Sequence, residues 1–404
     1  MDTPHIPCCR LAILLCLNAA LSVQAARTWK VDDDRVQYPH ADFTTLADAV
    51  AAAAAGDKVV VYPGLYDAHL TIEKALTISG PKSGKDGRTR TVIDKDEAIL
   101  QTAGGLHLVL GANDIVLDGF LVRIPTMGFP QDGRPGVILD PNFSGERIIN
   151  NVFDHSGIEA NSSGRKRSSI SRSRFENDGQ FNGVFTVAGP GVALQECDFI
   201  DAPVWFSGSP YVVVAHNKFS GPALADETAT LHLRQCYAPL VEDNAFAADA
   251  DLGLTELENA LVRKNMFRTG RIWITLQNSE LVVEKNRLSQ CAIGIFLNND
   301  GNGPSGAVVR QNEIKDGDLG LFVSGDAFGN LLQENNIEDN RIGILVSNPS
   351  ESFIAMNTFR RNTVRGNSEI DCIDMTTGTG TSGTANIWEG NEGSTCSPPG
   401  LCAD

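Results

Sequence analysis

The stretch Asn244-Ala245-Phe246, followed 21 residues later by Asn265-Met266-Phe267, decides how the chain is read. The phrase occurs upstream as Asn151-Val152-Phe153, Ser173-Arg174-Phe175, Cys197-Asp198-Phe199 and Asn217-Lys218-Phe219. Downstream it runs through Asn286-Arg287-Leu288, Asn312-Glu313-Ile314, Asn335-Asn336-Ile337 and Asn357-Thr358-Phe359. The apolar anchors lie 20 to 27 residues apart. Short strand-like units at that period, with insertions of varying length, mark a solenoid in which each coil touches only its neighbours. Asn amides stacked in register pass hydrogen bonds from coil to coil, while the residue two positions on points inward. Ten such coils at the spacing of parallel strands span about 50 Å.

Outside the repeat, the chain supplies what a solenoid needs at its ends. Residues 43–55 read as an amphipathic helix. Thr44 or Thr45 is placed to cap it, Leu46, Ala49 and Val50 share one face, and Gly56-Asp57 ends it. A helix there would close the first coil. Lys58 to Val61, Leu70 to Ile72, Leu76 to Gly80, Thr91 to Asp94, Leu106 to Leu110 and Ile115 to Phe120 follow as short strands. Trp388, in a last imperfect coil, is placed to cover the far end.

The Ala-rich helix, Gly-Asp, the valine strand, Pro63-Gly64-Leu65-Tyr66 and the later Gly-Ile-x-Leu coils together resemble right-handed parallel β-helix proteins. NosD-like proteins and the polysaccharide lyase- and epimerase-like members share this look. The resemblance covers roughly residues 40–395. It implies an all-β, right-handed parallel β-helix (solenoid) with a short N-terminal capping α-helix. The fold hosts several chemistries, so it does not by itself choose one. The motifs of pectin methylesterases and polygalacturonases are absent. Of the Asp-Pro-His-Asp site of mannuronan epimerases, Leu139-Asp140-Pro141-Asn142 keeps only Asp-Pro.

Residues 1–26 read as a signal peptide: Arg10 precedes an apolar run from Leu11 to Ala20, and small residues mark a cleavage site at Val23-Gln24-Ala25. The β-helix is then expected over 27–395 and a tail over 396–404, with no later membrane span and a secreted or periplasmic location. The net charge of −17 argues against non-specific nucleic-acid binding. A monomer is expected. Of nine cysteines, Cys8, Cys9 and Cys16 would leave with the signal. Cys396 and Cys402 are placed to staple the tail, with Cys372 as another possible partner, while Cys197 holds a ladder position as a buried thiol.

Function is sought on the outer face, since alternate strand residues point outward. Aligning Val204-Trp205-Phe206, Leu231-His232-Leu233-Arg234, Leu252-Gly253-Leu254, Ile272-Trp273-Ile274, Ile293-Gly294-Ile295, Leu319-Gly320-Leu321 and Ile342-Gly343-Ile344 predicts one outward row. It reads Trp205, His232, Gly253, Trp273, Gly294, Gly320, Gly343. Exposed indoles offer flat platforms for the C–H face of a sugar ring. His232 is the candidate acid or base, with Arg234 or Arg271 neutralising a uronate carboxylate, which is the logic of a lyase or epimerase of acidic glycans. Trp205, Trp273, Asp226, Glu227, Asp251 and Glu256 are the candidate substrate-binding residues. A polysaccharide is the expected partner. The competing reading is a non-catalytic NosD-like or surface-binding β-helix whose Trp residues lie under a loop and whose His232 is merely hydrogen-bonded. No cofactor or metal is expected. Asp32-Asp33-Asp34 and Asn298 to Gly303 offer weak calcium candidates, and ordinary turns fit both better.

Overall fold

The computed structural model describes residues 25–90, 96–101, 107–124, 135–160, 166–177, 183–187, 191–221, 229–275, 277–298, 306–324, 326–348 and 356–402. Among them, the strands fall into three parallel sheets that successive coils visit in turn, the end coils contributing to only some of them. Sheet I has 15 strands, from Thr28–Val31 to Ile387–Glu389. Sheet II has 13, from Gly64–Asp67 to Thr363–Arg365. Sheet III has 14, from Leu70–Ile72 to Cys396–Ser397. Each strand pairs with its counterpart one coil away, so the molecule is a nearly all-β parallel solenoid.

Rows of inward residues, in register from coil to coil, build the core. In sheet I the row runs Val214, Val241, Val262, Val283, Val309, Leu332, Phe359 and Trp388. In sheet II, Phe153, Phe175, Phe199, Phe219, Phe246 and Phe267 stack with ring centroids 4.3 to 5.0 Å apart. These phenylalanines are essentially fully buried. Each ring contact adds about 0.5–1.5 kcal/mol beyond its area burial. Leu288, Ile314, Ile337 and Val364 continue the row.

The Asn ladder lies at the corner between sheets I and II. The residue before each ladder position takes a left-handed backbone, from Asn150 (φ 58°) to Arg361 (φ 51°), which turns the chain sharply. Asn244 then binds three neighbours, the first being Asn217, whose backbone N–H and Nδ2 donate to its Oδ1 (2.9 and 3.0 Å). The Asn244 backbone N–H and Nδ2 donate to Asn265 Oδ1 (3.0 and 2.9 Å), and Nδ2 also donates to the Val214 carbonyl (2.9 Å). Asn265, Asn286, Asn312 and Asn335 repeat this pattern. The ladder satisfies buried backbone groups that a tight corner would otherwise strand.

Here one expectation fails. Asn335 hands on to Asn362 and then Asn391, not to Asn357. Asn357 belongs to a second ladder, Asn330–Asn357–Asn386, and Phe359 lies in sheet I. Asn357-Thr358-Phe359 and Asn362-Thr363-Val364 both carry the phrase within one coil, and the longer preceding insertion made the wrong one fit the period.

The ends are closed as expected, with shifted bounds. The helix is Leu46–Ala52, shorter than 43–55, capped by the Thr45 hydroxyl accepting from the Asp48 N–H (3.1 Å). Leu46, Ala49 and Val50 are buried against the first coil. Ala53 leaves the helix with an extended backbone. At the far end Trp388 stacks on Phe359 (4.1 Å), and its indole N–H donates to Asp374 Oδ2 (2.9 Å). Cys396–Ser397 still pairs in sheet III, so the solenoid reaches into the stretch expected to be tail. Cys396 and Cys402 form a disulfide, and Cys197 is a buried free thiol. Thr91 to Asp94 lie outside the described residues.

Candidate functional site

Sheet III presents the candidate face. Val204–Ser207, Leu231–Arg234, Leu252–Thr255 and Ile272–Thr275 are consecutive neighbours in register. Val204, Phe206, Leu231, Leu233, Leu252, Leu254, Ile272 and Ile274 point into the core. The intervening residues therefore face out, and Trp205, His232, Gly253 and Trp273 stand side by side on four adjacent strands, about 4.8 Å apart.

Beyond Trp273 the expected row is wrong by two residues. Trp273 pairs with Phe296, and the row continues through Phe322 and Leu345. Gly294, Gly320 and Gly343 are buried at the entrance to longer strands. A β-carbon on Gly294 would come 2.6 Å from Ile314 Cγ2, and one on Gly343 would come 2.4 Å from Val364 Cγ1. Those glycines make room for the core of sheet II. A two-residue slip keeps the in–out alternation, so the pattern Ile-x-Ile could not reveal it. The face thus holds an aromatic stripe that the sequence reading missed: Phe185 precedes Trp205, and Phe296 and Phe322 follow Trp273. All of them are half-buried. The available signal was an aromatic residue between two inward aliphatics, as in Ile295-Phe296-Leu297 and Leu321-Phe322-Val323.

His232 is held from three sides. The Trp205 ring meets it edge-on at 4.3 Å. Its Nε2 lies 3.0 Å from the Thr255 hydroxyl, which lies 2.7 Å from that of Thr275. Gly253 leaves the space its ring crosses. Burial, with the nearby Arg234 charge adding to it, pushes the imidazole pKa down to about 4. His232 is therefore neutral at physiological pH. Among the described residues its buried Nδ1 has no hydrogen-bond partner, and neither has the indole nitrogen of Trp273. Arg234 extends outward, half-exposed, with its Nε 3.7 Å from Glu256 Oε2.

Arg271 and Asp251 are each other's partners. The Arg271 Nε and backbone N–H donate to the two Asp251 oxygens, both at 2.9 Å. The guanidinium also sits 5.0 Å from the Trp273 ring centroid. Burial raises the Asp251 carboxyl pKa, outweighing the Arg271 charge that lowers it. Arg234 is thus the more open cation of the two. Asp226 and Glu227 lie outside the described residues. The structure brings Trp205, His232, Arg234, Asp251, Glu256, Arg271 and Trp273 onto four adjacent coils.

At the other end, carboxylate oxygens of Asp32, Asp33 and Asp34 lie within 4.8 Å of one another. Asp32 is buried and accepts from the Tyr38 N–H, and Asp33 accepts from the Leu65 N–H (2.9 Å). Of the Asn298 to Gly303 loop, only Asn298 is described. No helix among the described residues is long and apolar enough to cross a membrane.

Residues 207–391 match the NosD family, described as periplasmic copper-binding protein. The matched span begins within the Trp205 strand and covers His232, Arg234, Arg271 and Trp273. No curated protein is similar in sequence to this chain. Among solved structures, a double mutant of the periplasmic alginate epimerase AlgG is 12% identical, covering 89% of this chain and 83% of its own, with a TM-score of 0.47. A GH136 lacto-N-biosidase from Eubacterium ramulus is 10% identical over 78% of this chain and 67% of its own, with a TM-score of 0.47. A PL6 family polysaccharide lyase from Pseudopedobacter saltans is 13% identical over 92% and 93%, with a TM-score of 0.45.

Proposed function

We propose that this is an exported, periplasmic β-helix protein that binds an acidic polysaccharide along the outer face of sheet III and processes it by lyase or epimerase chemistry. One observation carries the reading: Trp205, His232, Gly253 and Trp273 lie in register on adjacent strands with Arg234 open beside them. The indoles supply stacking platforms for sugar rings, and Gly253 leaves a gap between them. Arg234 neutralises the uronate carboxylate, which stabilises the carbanion formed when the C5 proton leaves. His232 is neutral above about pH 4 and able to accept that proton. Elimination of the 4-O substituent makes the step a lyase reaction, and return of a proton to the opposite face makes it an epimerisation.

A second reading, a NosD-like β-helix that binds without turnover, is favoured by the state of His232. One of its nitrogens is already tied to Thr255, and its low pKa makes it a weak base.

Incubation with alginate, pectate and glycosaminoglycans separates the two. Appearance of unsaturated ends, or inversion at C5 followed by NMR, supports the enzyme, provided His232→Ala and Arg234→Ala abolish it. Full activity in those variants overturns the site. Saturable binding with no product supports the binder.

A further inference from the structure

Three sulfurs converge under the last coil. Cys372 and Cys396 are register partners on adjacent strands of sheet III. Cys402 returns from the tail and is bonded to Cys396, closing a loop with a sequence separation of 6. Its sulfur lies 3.3 Å from that of Cys372, and all three sulfurs lie within 4.8 Å of one another. The other described free thiols are placed differently. Cys197, Cys236 and Cys291 each sit 3.3 Å from a backbone carbonyl two residues back, at Gln195, Arg234 and Ser289. Cys372 alone among them faces a disulfide. Gly393 lets the chain close over this cluster, since a β-carbon there would come 3.0 Å from the Cys402 sulfur.

We propose that Cys372, Cys396 and Cys402 form a thiol–disulfide exchange site that shifts the C-terminal staple between two pairings. When the last coil opens to water, the Cys372 thiol gives its proton to solvent base, and the thiolate attacks the Cys402 sulfur. The Cys372–Cys402 bond forms as the Cys396–Cys402 bond breaks, and the electron pair leaves on Cys396, which takes up a proton. No electrons are gained or lost overall, so no outside oxidant or reductant is needed. The shift replaces a closed loop of separation 6 with one of separation 30. The longer loop ties the tail to the preceding coil and frees the Cys396 strand. Burial pushes the Cys372 thiol well above its ordinary range, so exchange is slow at neutral pH and promoted by base.

The test uses the full chain, oxidised and free of added thiol. It is held between pH 7 and 9, quenched in acid, unfolded in guanidinium with N-ethylmaleimide present so that buried thiols are alkylated, and cut after Glu389 and Glu392. The Cys396–Cys402 pairing leaves the Cys372 peptide separate and alkylated, whereas the Cys372–Cys402 pairing links two peptides. The linked pair is expected to form in wild type, about tenfold faster per pH unit, and never in Cys372→Ser. Cys396→Ser prepared in oxidised glutathione is expected to carry the Cys372–Cys402 bond. Wild type alkylated only at Cys372 throughout the pH range would overturn the proposal, as would two unpaired cysteines in Cys396→Ser. The wild-type arm stands on its own if a variant does not fold.

Discussion

The imidazole of His232 lies over Gly253 of the next coil, where a β-carbon would come 3.0 Å from its Cδ2 and 3.0 Å from the Ala229 methyl. Gly253→Ala therefore displaces the ring from Thr255. Overpacking of this kind costs about 1–3 kcal/mol. Denaturant titration is expected to show that loss, together with a changed His232 ring signal in NMR. An unchanged ring signal would mean that the glycine does not shape the site.

Protonation of His232 should couple to folding. Its folded-state pKa of about 4 lies below the ordinary 6.5, so the unfolded chain takes up the proton first as pH falls. The stabilisation is intact above about pH 6.5 and is lost progressively down to about pH 4. His232→Gln should flatten this part of the stability profile, by an amount on the order of 2–3 kcal/mol at pH 4. A His232 NMR midpoint near 6.5 would contradict the buried, neutral ring.

The ladder should be costly to break. Asn265→Ala removes the acceptor for the Asn244 N–H and Nδ2, and the donor to the Val241 carbonyl. Leaving such groups buried and unpaired costs roughly 1–3 kcal/mol each, so a loss above about 2 kcal/mol is expected in urea titration. At Cys197, where a thiol already replaces the amide, Ala is expected to cost far less.

Trp388→Ala should loosen the far end. It removes the ring stacked on Phe359 and the donor to Asp374. Truncating a buried aromatic costs about 3–5 kcal/mol. Hydrogen exchange is expected to rise first in the last coils and little near Leu46, because coils couple mainly to their neighbours.

The fold was legible because its signals repeat. Phe153 to Phe267 and their Asn, Ser or Cys partners define both the period and the inward face. Legibility failed where two answers satisfied the same pattern. Asn357 and Asn362 both start an Asn-x-apolar phrase, and only hydrogen bonding between coils chooses Asn362. Ile293-Gly294-Ile295 and Ile295-Phe296-Leu297 both match Ile272-Trp273-Ile274, and only strand register chooses Phe296. Of the site, the juxtaposition of Trp205, His232 and Trp273 could be read from strand alternation. The pairing of Arg271 with Asp251, the hold of Thr255 on His232 and the burial that lowers its pKa could not. They depend on side-chain packing between coils, which has no period.

The central claim, that the outer face of sheet III receives an acidic glycan, is tested most directly by indole N–H NMR. The chain has four tryptophans. Trp205 and Trp273 lie on the face, whereas Trp29 and Trp388 are tied to Asp57 and Asp374 at the two ends. Titration with oligouronates is expected to shift the Trp205 and Trp273 signals saturably and leave the other two in place, with affinity falling at least about tenfold in Arg234→Ala. Unmoved Trp205 and Trp273 signals with alginate, pectate and glycosaminoglycan oligomers alike would contradict the account.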